Sequence, residues 1–202
     1  MLRKEICVRA LTFLASTFLA TLAVSTTWAE PLAPLPHTGL TQCYNNAGEV
    51  ISCAGTGQDA EHQNGVAWPE PRFTDHGDGT VTDNLTGLMW SKDTQVVAGT
   101  MTWEEALQAC ENLSLGGGIN TPYNDWRLPN IRELHSLIDF SEYSPAIPQG
   151  HPFINVLPSY YWSSTTYLNA IRTWVVYMSV GYAYAIKKTG NWGYVWPVRG
   201  GQ

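Results

Sequence analysis

Downstream of Glu142 the sequence contains no aspartate or glutamate. Its only charges there are Arg172, Lys187, Lys188 and Arg199. Cysteine is as sparse: the chain has 4, and none follows Cys110. No GxSxG elbow, HExxH helix or phosphate-cradling Walker loop occurs, so the usual signatures of nucleophilic, zinc and nucleotide chemistry are missing. The histidines, His37, His62, His76, His135 and His151, are dispersed along the chain. No metal and no cofactor is expected. There is no Gly-X-Y tract, no repeat at solenoid or propeller periods, and no low-complexity segment. With 17 acids against 11 bases, net charge −6, the chain is also a poor nucleic-acid binder.

One long apolar run is present, and it lies at the start. Arg3, Lys4 and Arg9 precede "ALTFLASTFLATLAV", which exits through "STTWAE" with Thr27 and Ala29 where a signal peptidase reads. A basic head, a short apolar middle and a small-residue exit read as a secretory signal over residues 1–29. The run is short for a span of about 20 residues, so no stable membrane span is expected after cleavage. An uncleaved anchor is the rival reading. The expected address is therefore exported: periplasm, outer surface or extracellular. Cleavage removes three bases and one acid, leaving 8 bases and 16 acids.

Residues 30–70 are rich in Pro, Gly and polar residues and read as a loop-heavy extension. Its "LPHTG" matches a sortase signal by letters only, because no apolar stretch and basic tail follow it. Cys43 and Cys53 bracket "YNNAGEVIS", where Asn46, Ala47 and Gly48 supply turn chemistry and "EVIS" can be a strand. In an exported chain this pattern predicts a disulfide across a hairpin. A zinc site is the rival, and no second cysteine pair or nearby histidine pair completes it.

From residue 71 the elements become regular. "FTDHGDGTVTDNLTGLMW" fails as a calcium loop, since setting Gly79 at the sixth position puts Thr74 and His76 where carboxylates belong. It reads as short strands joined by tight turns, with Val81, Leu88 and Trp90 facing a core. Two helices follow, each opened by a capping box. In "TWEEALQACENL" Thr102 caps and Glu105 returns, with Trp103, Ala106, Leu107 and Cys110 as the apolar stripe. In "NIRELHSLID" Asn130 caps and Glu133 returns. There Ile131, Leu134, Leu137 and Ile138 lie on one face and Arg132, His135, Ser136 and Asp139 on a solvated one. Four aromatic, β-branched stretches, "YYWSSTTY", "RTWVVYMSV", "GYAYAIKK" and "GYVWPVRG", predict a C-terminal antiparallel sheet. The class is α+β.

Five stretches in this order, "GDGTVTDNLTGLMW", "TWEEALQAC", "DWRLPNIRELHSLID", "YWSSTTY" and "VRGG", resemble the Lcl C-terminal domain family. That family is named for the C-terminal domain of a collagen-like bacterial adhesin. The resemblance covers about Pro71 to Gly200, within a domain taken as 71–202. "WRLPN" is also similar to a motif of the formylglycine-generating, sulfatase-modifying family. Both groups are regarded as relatives of the C-type lectin fold, so the resemblance implies a C-type lectin-like domain. It makes Trp126, Arg127, Pro129, Asn130 and Arg199 architectural: Trp126 and Leu128 fill the core, Arg127 pairs in a loop network, and Asn130 starts a helix. With no late cysteine, formylglycine chemistry has no thiols to use. Lcl-like domains often carry a cysteine before "VRGG"; here Pro197 stands there, so Cys110 is expected to be a buried free thiol.

The resemblance implies a non-enzymatic, adhesin-like module binding a glycan or cell-surface ligand, sulfated or uronic-acid polysaccharides included. Tyr160 to Trp196 hold eleven aromatics among charges of one sign. Aromatic faces receive sugar rings, and Lys or Arg receive sulfate or carboxylate. The candidate contacts are Tyr167, Arg172, Tyr177, Tyr182, Tyr184, Lys187, Lys188 and Trp192. One alternative is a variable receptor for protein ligands, its last sheet diversified by a retroelement. The other is a carbohydrate-active enzyme with two carboxylates meeting in space.

Overall fold

A computed structural model describes residues 35–118 and 121–200. The signal read at 1–29 lies outside the described residues. In the extension, β1 (Cys43–Tyr44) and β2 (Val50–Ile51) pair antiparallel. The Asn45 carboxamide accepts from the backbone N–H of Ala47 and Glu49, and Gly48 takes the left-handed conformation the turn requires. A Cys43–Cys53 disulfide closes this hairpin. A four-residue helix the sequence did not signal, α1 (Asp59–His62), follows. Residues 35–38 run beside Val66, and the Phe140 N–H donates to the Thr38 carbonyl, so the described part of the extension lies on the rest of the chain.

Strands β3 (Phe73–Asp75), β4 (Thr80–Asp83) and β5 (Met89–Ser91) form an antiparallel meander through the two expected turns. Helix α2 (Trp103–Glu111) begins with the expected capping box at Thr102 and Glu105. A short hairpin of β6 (Leu115–Gly118) and β7 (Thr121–Tyr123) comes next, unforeseen because three of its residues are glycines. Helix α3 (Ile131–His135) has its capping box at Asn130 and Glu133. The sheet strands β8 (Tyr160–Thr166), β9 (Arg172–Tyr177) and β10 (Tyr182–Lys187) form a second meander, ordered β10-β9-β8. The last strand among the described residues is β11 (Val198–Arg199).

Two expectations are corrected. Helix α3 stops after five residues instead of continuing to Asp139. Leu137 and Ile138 still reach the core, but through a turn, and Asp139 is only 6 % exposed instead of solvated. Its backbone N–H donates to the Ala146 carbonyl, and its carboxylate accepts from the Ser141 N–H and hydroxyl. A local acceptor role at a loop start looks, by helical spacing, like a polar helix face. The second correction concerns "GYVWPVRG". It meets the C-terminal sheet only at Tyr194, which bridges Tyr161 of β8 in parallel, and not as an antiparallel strand. Instead β11 pairs with β5, giving a four-stranded sheet ordered β11-β5-β4-β3. Val81, Trp90 and Val198 then lie side by side across three strands, all fully buried.

The β8–β9–β10 sheet separates two apolar clusters. Successive strand residues point to opposite faces. Tyr161, Val176 and Met178 join Trp90, Leu134 and Trp196 on one side. Trp162 and Val175 join Ala106, Cys110, Leu128 and Val195 on the other. This explains why adjacent residues such as Val175 and Val176 are both fully buried. Burying each large side chain contributes roughly 1.5–3 kcal/mol. The indoles also tie distant loops: Trp103 donates to the Ser163 carbonyl, Trp126 to Leu115, Trp162 to Met101 and Trp196 to Ser91, at 2.9–3.2 Å. A chain with little regular secondary structure thus uses tryptophan to fix its loops.

Candidate functional site

The open ends of β9 and β10 bring Arg172 and Lys187 directly opposite one another. Like charges in facing positions destabilise a sheet by roughly 0.2–1 kcal/mol. Among the described residues, the ion pairs involve neither of them. Arg172 instead donates from Nη1 to the Ala185 carbonyl at 3.2 Å. Two unneutralised cations facing each other at a sheet edge form a place where an anion is favoured.

Beside them opens a cleft of about 350 Å³, lined by Tyr160, Arg172, Ala185, Ile186, Lys187 and Trp192. Trp192 is 60 % exposed. Its indole lies against Gly190, where any Cβ would collide with the ring, so glycine is what lets the tryptophan lie flat at this turn. From the cleft a row of tyrosines runs along one face of the sheet. Tyr160 lies 4.7 Å from Tyr177 and 6.1 Å from Tyr184, and Tyr182 lies 6.2 Å from Tyr184, between ring centroids. Tyr182 and Tyr184 are 58 % and 42 % exposed. The register explains the row: Tyr160 and Tyr182 both pair with Tyr177, and paired residues share a face.

Three candidate contacts, Arg172, Lys187 and Trp192, line the cleft, and three, Tyr177, Tyr182 and Tyr184, form the row that meets it through Tyr160. By register the two cations belong to the opposite face of the sheet from the row, so cleft and row meet around the sheet edge. Two candidates join neither. Tyr167 packs edge-on against Trp174 at 5.1 Å, outside the row. Lys188 sits 3.9 Å above the Trp103 ring and donates to the Thr166 hydroxyl at 3.0 Å, in a separate cleft shared with Thr102 and Glu104. Adjacent lysines on an extended chain point to opposite sides, so "KK" could not supply both charges to one site. Sequence reasoning missed Tyr160, which anchors the row. Its signal was available: it stands two residues before Trp162 and so shares that residue's face.

The "WRLPN" segment lies at the opposite end of the chain's hydrogen bonding and serves the last strand. Arg127 exchanges both backbone hydrogen bonds with Val198, at 2.9 and 3.0 Å. Its guanidinium grips Glu133 with two 2.7 Å bonds and donates to the Gly200 carbonyl at 2.9 Å. Trp126 and Leu128 are buried, and the Pro129 carbonyl accepts from the Ser164 N–H at 2.8 Å. Arg199 pairs with Asp125 at 2.6 and 3.1 Å and lies 3.8 Å from the Tyr123 ring centre. The Arg199 guanidinium holds the Asp125 carboxyl below its ordinary pKa. Cys110 is a buried free thiol, pushed up to about 12 by desolvation and, after it, by the Glu111 charge. It is unreactive as a nucleophile in that state.

No curated protein matches the chain. The family model described as the Lcl C-terminal domain matches residues 79–199. That span begins in the β3–β4 turn and ends with Arg199 in the closing strand, so it takes in the β8–β9–β10 sheet, every strand of the other sheet except β3, the "WRLPN" clasp and the cationic cleft. The chain belongs to the Lcl C-terminal domain family.

Proposed function

We propose that this protein is an exported, non-enzymatic, adhesin-like domain that binds glycans carrying sulfate or uronate groups. The observation that carries this reading is the facing pair Arg172 and Lys187, without a carboxylate partner among the described residues, beside the exposed indole of Trp192. A pyranose ring stacks on the indole while its anionic substituent is held by the two cations, as charge-assisted hydrogen bonds favour. The tyrosine row from Tyr160 to Tyr182 extends the apolar face for further sugar units. The Cys43–Cys53 disulfide supports export, because such bonds persist in oxidising compartments. No helix among the described residues is long and apolar enough to cross a membrane. A C-type lectin-like fold belongs to the same proposal, supported by short helices around small antiparallel sheets. The histidines of the described chain serve packing and loop contacts, such as His135 to the Gly181 carbonyl and His37 against Trp68, which supports a binding role over catalysis.

A glycan-array screen of the purified protein at low and moderate salt tests this reading. Selective binding to sulfated or uronic-acid glycans that weakens with salt is the expected result, since exposed charges are screened. Binding to neutral glycans only, or to none, would overturn the assignment of the cationic cleft.

A further inference from the structure

We infer that the outer edge of β10 is a docking site for an extended, acidic peptide segment of a partner protein, which adds to the sheet as a fourth strand. Among the described residues, strand β10 is the sheet's end strand and pairs only with β9. The Lys188 N–H donates across to the Ile171 carbonyl, which sets the parity of the hairpin. Ile186, Tyr184 and Tyr182 therefore face β9, while the backbone groups of Ala183, Ala185 and Lys187 turn outward. The Arg172 guanidinium on the Ala185 carbonyl agrees with this parity, because that acceptor is free of the ladder. The strand reads Tyr-Ala-Tyr-Ala-Ile-Lys, with no proline and a single charge at its end. An edge this long and this apolar is a ready template for another strand.

The ends of this edge carry matching recognition features. At Ala183 a cleft of about 400 Å³ opens toward α3, lined by Ile131, Arg132, His135, Ile138 and Phe140. At Lys187 lies the Arg172 cleft already described. Arg132, Arg172 and Lys187 take part in no ion pair among the described residues. Ala183 and Lys187 are four residues apart, roughly 13 Å along a strand, and share a face. The fitting segment carries acidic residues four positions apart with β-branched residues between them. A second copy docked edge to edge through β10 is a poor occupant, because the pairing would bring the Arg172 and Lys187 of one copy against the same cations of the other. An incoming carboxylate also draws the Arg172 side chain off the Ala185 carbonyl and frees that acceptor for the new strand.

The test is titration of the isotope-labelled protein with the blocked peptide Glu-Val-Thr-Val-Glu-Thr, read by amide hydrogen exchange. Exchange at Ala183, Ala185 and Lys187 is expected to slow at least tenfold at saturation. Ala183→Pro removes an outward N–H that no strand among the described residues uses, and is expected to weaken binding at least tenfold. Trp192→Ala is expected to weaken glycan binding far more than peptide binding, because the indole only lines the shared cleft while the peptide is held by the backbone groups of β10. A peptide N-methylated at alternate amides, tested on the unaltered protein, is expected not to bind. Absence of slowing at millimolar peptide, binding that leaves the three amides unprotected, undiminished binding of the N-methylated peptide, or self-association through β10 in place of peptide uptake would each overturn the inference.

Discussion

Arg127 and Glu133 are joined by two parallel hydrogen bonds of 2.7 Å, and the same Glu133 carboxylate accepts the Asn130 N–H that completes the capping box of α3. One carboxylate thus fixes a helix start and, through Arg127, the last strand of the chain. The pair is partly exposed, so its Coulomb energy is discounted, and both capping hydrogen bonds of α3 survive without Arg127. Arg127→Ala also leaves the Gly200 carbonyl without its donor. The expected loss is roughly 1–2 kcal/mol, or about 2–8 °C in Tm for a chain of this size. Arg127→Lys restores only part of it, because an ammonium cannot make the fork. Calorimetry of both variants checks this, and equal Tm values for the two would refute the bidentate account.

Lys187→Ala is expected to weaken anionic-glycan binding by about tenfold, the scale of one lost charge-assisted hydrogen bond. Its Tm is expected to hold or to rise slightly, since the substitution relieves the facing Arg172 charge. Trp192→Ala is expected to reduce binding at unchanged Tm, because the indole is mostly exposed. The opposite signs for stability and affinity in Lys187→Ala are the decisive readout. A stabilised variant that binds as well as the parent would place the ligand elsewhere.

Local signals in this sequence were legible, and non-local pairings were not. Both capping boxes, the turns at Asp78–Gly79 and Thr86–Gly87, the disulfide hairpin and the strands of the β8–β9–β10 meander follow from short-range patterns. The pairing of Val198 with Trp90 spans more than a hundred residues, and no residue pattern in "GYVWPVRG" distinguishes one antiparallel neighbour from another. Helix α3 was read too long because Leu137 and Ile138 keep helical spacing while a turn carries them inward. In the candidate site, aromatic and basic composition pointed to the right sheet. Contacts across the sheet decided the rest: Lys188 is held by Trp103 and Thr166, Tyr167 packs on Trp174, and Tyr160 reaches the row through its pairing with Tyr177.

The Cys110 thiol, raised to about 12 by burial, is expected to resist thiol reagents in the folded protein. Its unfolded value is about 8.5. The folded state therefore holds its proton where the unfolded chain releases it, and the thiol's contribution to stability is full below about pH 8.5 and declines as pH rises toward 12. Disulfide-exchange labelling at pH 8 is expected to be slow and to accelerate with denaturant in step with global unfolding. Labelling at the rate of an exposed cysteine in native buffer would contradict the buried placement.

Asp78 supplies the last case, in which a turn residue outside every candidate site sets acid stability. Its carboxylate accepts the Thr80 hydroxyl at 2.6 Å and the Thr80 N–H at 3.0 Å, and reaches across to the Gly117 N–H at 2.9 Å. The Thr80 hydroxyl, followed by these backbone donors against a desolvation penalty, holds the carboxyl below its ordinary pKa. The folded value is depressed, so the contribution is fully present above the unfolded value near 3.9 and is lost as pH falls through the folded value. Asp78→Asn keeps the shape but places an amide where donors converge, and is expected to cost about 1 kcal/mol at neutral pH. The Tm difference between parent and variant is then expected to be constant from pH 7 to about 5 and to shrink below about 4. The same hydrogen bonds join the β3–β4 turn to the β6–β7 hairpin, so the variant is expected to speed amide exchange at Gly117 as well as near Thr80. A Tm difference that persists unchanged to pH 2 would show that the carboxylate's charge has no part in holding the two turns together.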